Sequence, residues 1–427
     1  MEKVSKLSNS PKQSKEKYQK ETKKSSSSKK KAKIQKKEKS SSNNTTILSI
    51  YLGTYEGKLI VNNINIKSKE KISNFSFSAS QNAIRTIYHK LNSLFVSGTD
   101  EIIHMYDLQR KVSEGDLMTY SGSVNDIKIQ DNYLIVAGEN NTIPIWRLSD
   151  FNNIIELKGH KKAINSIDMH ESGGFLVSGG RDNCIIIFDL LTGRKIEKFE
   201  FDYIINKVKL FDKDKYLMIV FDLHIYILDL MKNGKNMNEN IIQKLNFNKK
   251  IINAYIVKNK LIIIFTDAEI KIYELNIKQE ENKDKKNEEK NEKDEKENEE
   301  KQDEKKNEEK EDDKEENVII KNELNFVLEK PDKKNENDLE IRVRYVSISK
   351  IEKIKIITIS YSNNQIYFYD LNKILKYKEL EKNINETNKN NDNNKLINNN
   401  NFIKKYGKID YNIPEKITAL DSELFKQ

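Results

Sequence analysis

The sequence predicts an all-β fold of repeating four-stranded units closed into a ring, and three observations carry that prediction. Apolar runs of strand length, rich in Ile, Val, Tyr and Phe, recur along the chain and are parted by Gly, Asp and Asn turns. Six of these runs end alike, in an aromatic or apolar residue, usually an acid, then leucine: Tyr106-Asp107-Leu108, Trp146-Arg147-Leu148, Phe188-Asp189-Leu190, Leu228-Asp229-Leu230, Tyr273-Glu274-Leu275 and Tyr369-Asp370-Leu371. The leucines are 40, 42, 40, 45 and 96 residues apart, and the first four intervals match one blade of a β-propeller. Lastly, the first apolar region lacks an opening strand, while the end of the chain supplies a lone one. Six repeats and one blade stitched from both ends predict seven blades, a closure that removes open sheet edges.

Taken in order, residues 1 to 45 are Lys, Ser, Gln and Glu with almost nothing apolar, and are expected to be disordered. They hold 15 Lys and 4 Glu, about +11, while the whole chain is +9, so residues 46 to 427 sum to about −2. The basic balance is therefore a property of the tail, which argues against a folded surface that grips nucleic acid. Lys29, Lys30, Lys31 and Lys33, with Lys36, Lys37 and Lys39, form a dense basic cluster suited to nuclear import and weak attraction to RNA phosphates.

The propeller is expected to occupy residues 46–427. Ile47 to Leu52 and Leu59 to Val61 read as strands around the turn Gly53-Thr54-Tyr55-Glu56-Gly57, and Ile72 to Ala79 as a third. Tyr55 and Glu56 are large residues in a tight turn that packing does not require, so they are the candidate interaction turn. The reference repeat runs from Leu157 to Asp189, with Gly159-His160 in front and Phe188-Asp189 behind, one turn of a WD-type repeat. Residues 278–317 hold 20 acidic residues and 12 lysines, about −8, and none that could join a core. They read as a charged low-complexity insertion in a blade-edge loop. Residues 376–401 read as an Asn-rich loop, and Lys416 to Leu420 as the closing strand, one short run.

The motifs of common enzyme classes are missing from the sequence: no phosphate-cradling Gly-rich loop, no Gly-x-Ser-x-Gly and no His-Glu-x-x-His. No enzyme activity, cofactor or metal is expected. The lone cysteine, Cys184, sits in an apolar strand run and reads as a small buried hydrophobe. No apolar run has the length of a membrane span, and a monomer is expected. The informative polar set is His160, Ser178 and Asp182. In WD repeats a His, a Ser or Thr, an Asp and a Trp form a buried hydrogen-bond chain. Here Phe188 holds the Trp position and cannot donate. We read the set as a structural network rather than a catalytic triad.

Leu94-Phe95-Val96-Ser97-Gly98-Thr99-Asp100-Glu101-Ile102-Ile103-His104-Met105-Tyr106-Asp107-Leu108 closely resembles the first full repeat of the PAK-interacting WD-repeat proteins, the Mak-eleven type of large-subunit ribosome assembly factor. The turn Gly53 to Gly57, the segment Tyr120-Ser121-Gly122-Ser123-Val124 behind Glu114-Gly115, Ile143-Pro144-Ile145-Trp146 and Gly159-His160-Lys161 also look like that family. The resemblance implies a seven-bladed scaffold in the nucleus and nucleolus, bound to ribosome assembly factors and large-subunit precursor particles. For some members it also implies a signalling adaptor that binds and restrains a p21-activated protein kinase.

Overall fold

Seven sheets of mostly four strands make up the computed structural model, which describes residues 45–119, 122–232, 237–276, 319–328, 331, 340–351, 353–375, 402–403, 407–410 and 416–426. The basic cluster of the tail, the charged stretch 278–317 and the Asn-rich stretch 376–401 lie outside these residues. Blade one joins strands Thr46–Thr54, Lys58–Asn65 and Lys71–Ser78 to Ile417–Lys426 from the other end of the chain. Blades two to five span 84–118, 124–158, 164–200 and 207–246, blade six 251–328, and blade seven 343–370 with 407–410. Together they form a seven-bladed β-propeller, as the repeat spacing predicts.

The core is divided between the blades. Among the described residues, buried apolar side chains fall into seven clusters, each built from two adjoining sheets. Ile186 and Phe188 of blade four, for example, meet Ile135 and Ile143 of blade three. Both faces of a blade are thus buried, which is why strands such as Tyr216–Val220 and Cys184–Asp189 read as continuous apolar runs rather than alternating ones.

The repeated sequence features have local causes. An aspartate before the leucine closes a turn: Asp107 Oδ1 accepts the N–H groups of Gln109 and Arg110 at 2.8 Å, Asp189 that of Leu191 at 2.9 Å, and Asp229 that of Met231 at 2.8 Å. The following leucine donates its N–H to the preceding hairpin, Leu108 to Asn92 O at 2.7 Å and Leu190 to Gly174 O at 2.9 Å. Gly98 and Gly180 end their second strands where the chain entering the blade passes close by. A Cβ on Gly98 would lie 1.9 Å from Ala83 O, and one on Gly180 would lie 2.9 Å from Ala163 O. Those carbonyls accept the next N–H groups, of Thr99 at 3.2 Å and Arg181 at 2.8 Å.

The ring closes as expected, with two corrections. The closing strand is longer than Lys416 to Leu420: Ile417–Lys426 pairs along Thr46–Thr54, from Ile417↔Thr54 to Lys426↔Thr46. Asp421 and Ser422, the polar residues just beyond Leu420, have partners in blade seven. Ser422 is 2% exposed with Ser349 Oγ at 2.5 Å, and Asp421 accepts from Ser347 Oγ at 3.2 Å. The second correction concerns the region after the Asn-rich stretch, where no strand was expected before the closing one. Gly407–Asp410 forms the fourth strand of blade seven, and Phe402–Ile403 adds in parallel to Val327 and Leu328 of blade six. The charged stretch falls between Glu269–Asn276 and Ile319–Leu328, the third and fourth strands of blade six.

Candidate functional site

His160 precedes the inner strand of blade four, Ser178 lies on its second strand and Asp182 in the turn beyond. The structure brings the three together. His160 Nε2 is 2.7 Å from Ser178 Oγ, and Nδ1 is 3.0 and 3.1 Å from the two oxygens of Asp182. Burial, opposed by the Asp182 carboxylate, lowers the His160 pKa and keeps the ring neutral at pH 7. Nδ1–H then donates to Asp182, and Nε2 accepts the Ser178 hydroxyl proton. Burial raises the Asp182 pKa, but the Lys161 N–H at 2.8 Å and His160 outweigh it and leave the carboxyl below its ordinary value. Ser178 is fully buried, so its hydroxyl cannot meet a substrate as a nucleophile must. Phe188 packs where a further donor would stand, 3.5 Å from a Cβ built on Gly159. Cys184 is buried in the same blade.

Blade two holds a rearranged version that the sequence spacing did not disclose. Ser80 takes the place of His160 and donates to Asp100 at 2.6 Å. The histidine has moved to the third strand, where His104 Nε2 lies 2.9 Å from Asp100 and Nδ1 lies 2.7 Å from Asp116. Tyr106, in the position of Phe188, supplies the missing donor with a bond from its hydroxyl to Ala79 O at 3.2 Å.

A second polar set lies on the innermost strands. Asp126 of blade three accepts the N–H of Ile167 and the hydroxyl of Ser166, both at 3.0 Å, across the junction to blade four. Asp168 of blade four accepts from Leu210 N at 2.8 Å and Lys209 Nζ at 2.9 Å in blade five, with Lys128 Nζ at 3.6 Å. Lys207 donates to Asn253 Oδ1 at 2.7 Å and sits 4.4 Å from the centre of the Tyr255 ring. At the closure, His89 Nδ1 lies 2.6 Å from Asp421. The chain carries polar pairs at matching places on these strands, Asn125-Asp126, Asn165-Ser166 and Asn206-Lys207, but nothing in it marks which residue of the next blade each one meets.

Tyr55 is 64% exposed at the tip of its turn, with its N–H held by Lys416 O at 2.8 Å. The Glu56 carboxylate lies 3.9 Å from Lys58 Nζ. Lys29, Lys30, Lys31, Lys33, Lys36, Lys37 and Lys39 lie outside the described residues. Among the described residues, no group of three or more His, Cys, Asp or Glu is placed to hold a metal, and no helix is long and apolar enough to cross a membrane.

The family described as WD domain, G-beta repeat matches residues 151–189. A p21-activated protein kinase-interacting protein 1-like of Danio rerio is 26% identical over 223 residues, 49% of this chain and 56% of that protein. Its namesake in Xenopus laevis is 23% identical over 235 residues, 53% of this chain and 62% of that protein. Protein MAK11 of Saccharomyces cerevisiae is 23% identical over 171 residues, 34% of this chain and 41% of that protein. The chain thus spans about two fifths to three fifths of the length of these relatives, and the resemblance seen in the repeats holds for both kinds. Propeller and relatives together describe a WD-repeat scaffold or interaction protein.

Proposed function

We propose that this protein is a non-enzymatic scaffold in large ribosomal subunit biogenesis, docking assembly factors or precursor particles in the nucleolus. The observation that carries the reading is the similarity to the Mak-eleven type relative, on a closed propeller whose Ser-His-Asp set is buried. A rigid ring of blades offers several independent faces to partners, which suits assembly work. In this reading His160, Ser178 and Asp182 lock blade four. Tyr55 and Glu56 form an interaction turn, and the tail lysines from Lys29 to Lys39 serve import and weak RNA contact.

The test is the location of tagged protein with and without residues 1–45. Nucleolar protein co-sedimenting with large-subunit precursors is expected, with loss of that location on tail deletion. A cortical or cytoplasmic location of the full chain contradicts it. The names of the Danio rerio and Xenopus laevis relatives favour a second reading, an adaptor that binds and restrains a p21-activated protein kinase. Failure to retain the regulatory part of such a kinase in a pull-down removes that reading and leaves the first standing.

A further inference from the structure

We propose that the inner wall of the propeller around Lys128, Lys207 and Lys209 binds a small, multiply charged phosphate anion. These three lysines lie on the innermost strands Val124–Gln130 and Lys207–Phe211, with blade four between them. Two carboxylates stand among them, those of Asp126 and Asp168. Both are occupied by the fold: Asp126 accepts from Ile127 N, Ile167 N and Ser166 Oγ, and Asp168 accepts from Leu210 N and Lys209 Nζ. Lys128 and Lys209 share the Asp168 carboxylate, whereas Lys207 makes no ion pair among the described residues. The contacts of that ammonium are the neutral oxygen of Asn253 and the face of the Tyr255 ring, neither of which cancels a full charge.

Solvent reaches the site. The Lys128 side chain is 28% exposed and that of Lys209 is 47% exposed. Burial first, then the neighbouring Lys128 and Lys209, push the Lys207 pKa down to about 8 against the opposing pull of Asp126 and Asp168, so the ammonium lacks a full counter-charge. An anion bound there would supply it. Phosphate suits the site because three ammonium groups within electrostatic reach of one another offer N–H donors to its oxygens. Lysines that served only to cap strand edges would instead resemble Lys90, whose ammonium ends on Ile129 O at 3.1 Å.

The experiment uses the full chain and sodium pyrophosphate as the probe, titrated by calorimetry with sodium chloride added to hold ionic strength constant. Saturable binding is expected for the wild type and for Lys111→Gln on the outer rim. Lys207→Gln should weaken it about tenfold or more. Asn253→Asp places a carboxylate beside the Lys207 ammonium in the same shape, so it should keep the fold and abolish binding. No saturable heat in the wild type overturns the proposal, and so does unchanged binding by folded Asn253→Asp.

Discussion

The carboxylate of Asp168 in blade four accepts the backbone N–H of Leu210 in blade five at 2.8 Å. Asp126 does the same for Ile167 one blade earlier, at 3.0 Å. An innermost strand has no partner on its inner edge, so its N–H groups must find acceptors elsewhere. Here the preceding blade supplies them, and one side chain both satisfies the edge and ties two blades. Asp168→Ala strands the Leu210 N–H and leaves Lys209 and Lys128 without their shared counter-charge. A loss of about 2–4 kcal/mol is expected in urea unfolding, with a smaller loss for Asp168→Asn, which keeps an acceptor.

His160→Ala removes the partner of both Ser178 and Asp182, and about 1–3 kcal/mol of stability should go with it. An unchanged urea midpoint would show that the three residues do not act as a network.

The same histidine sets a pH dependence. Its folded pKa lies below the ordinary 6.5, so the unfolded chain binds the proton more readily. Stability therefore falls as pH drops below 6.5 and levels off beneath the folded pKa. Asp182 acts lower down, since its folded pKa lies under the ordinary 3.8 and its contribution is lost as pH falls through that value. Urea titrations at about pH 7.5 and about pH 5.5 should show the wild type losing stability on acidification and His160→Ala losing less.

Gly98→Ala would place a Cβ 1.9 Å from Ala83 O, a backbone atom that cannot rotate away. The chain entering blade two must shift, at a cost of about 1–3 kcal/mol. Thermal melts of the variant check this, and an unchanged Tm would mean that the Ala83 segment yields freely.

Deletion of residues 416–427 removes the inner strand of blade one and exposes the edge of Thr46–Thr54 along its length. Loss of the single cooperative transition is expected, together with aggregation through the open edge. Retention of a wild-type melt would show that the first and last blades hold together without it.

Most of the fold is legible in the chain because a blade is a local object. Its strands are neighbours in sequence, its Asp107-type acids close their own turns, and His160, Ser178 and Asp182 meet within one repeat. What stays hidden depends on the ring. Asp126 finds Ile167, and His89 finds Asp421, only because blades adjoin in space, and the partner of each carries no local mark. Gly407–Asp410 escapes notice for another reason: a four-residue strand beyond an Asn-rich stretch has too few apolar residues to show a period. The blade-two network is hidden because its histidine sits at His104 on the third strand instead of before the first.

The scaffold reading meets its most direct test in the ratio of free subunits after rapid depletion, measured by gradient sedimentation of cell extracts. A fall in large subunits while small subunits persist is expected, with restoration by the full chain. Efficient depletion that leaves the ratio unchanged would contradict a role in large-subunit assembly, whatever the propeller binds.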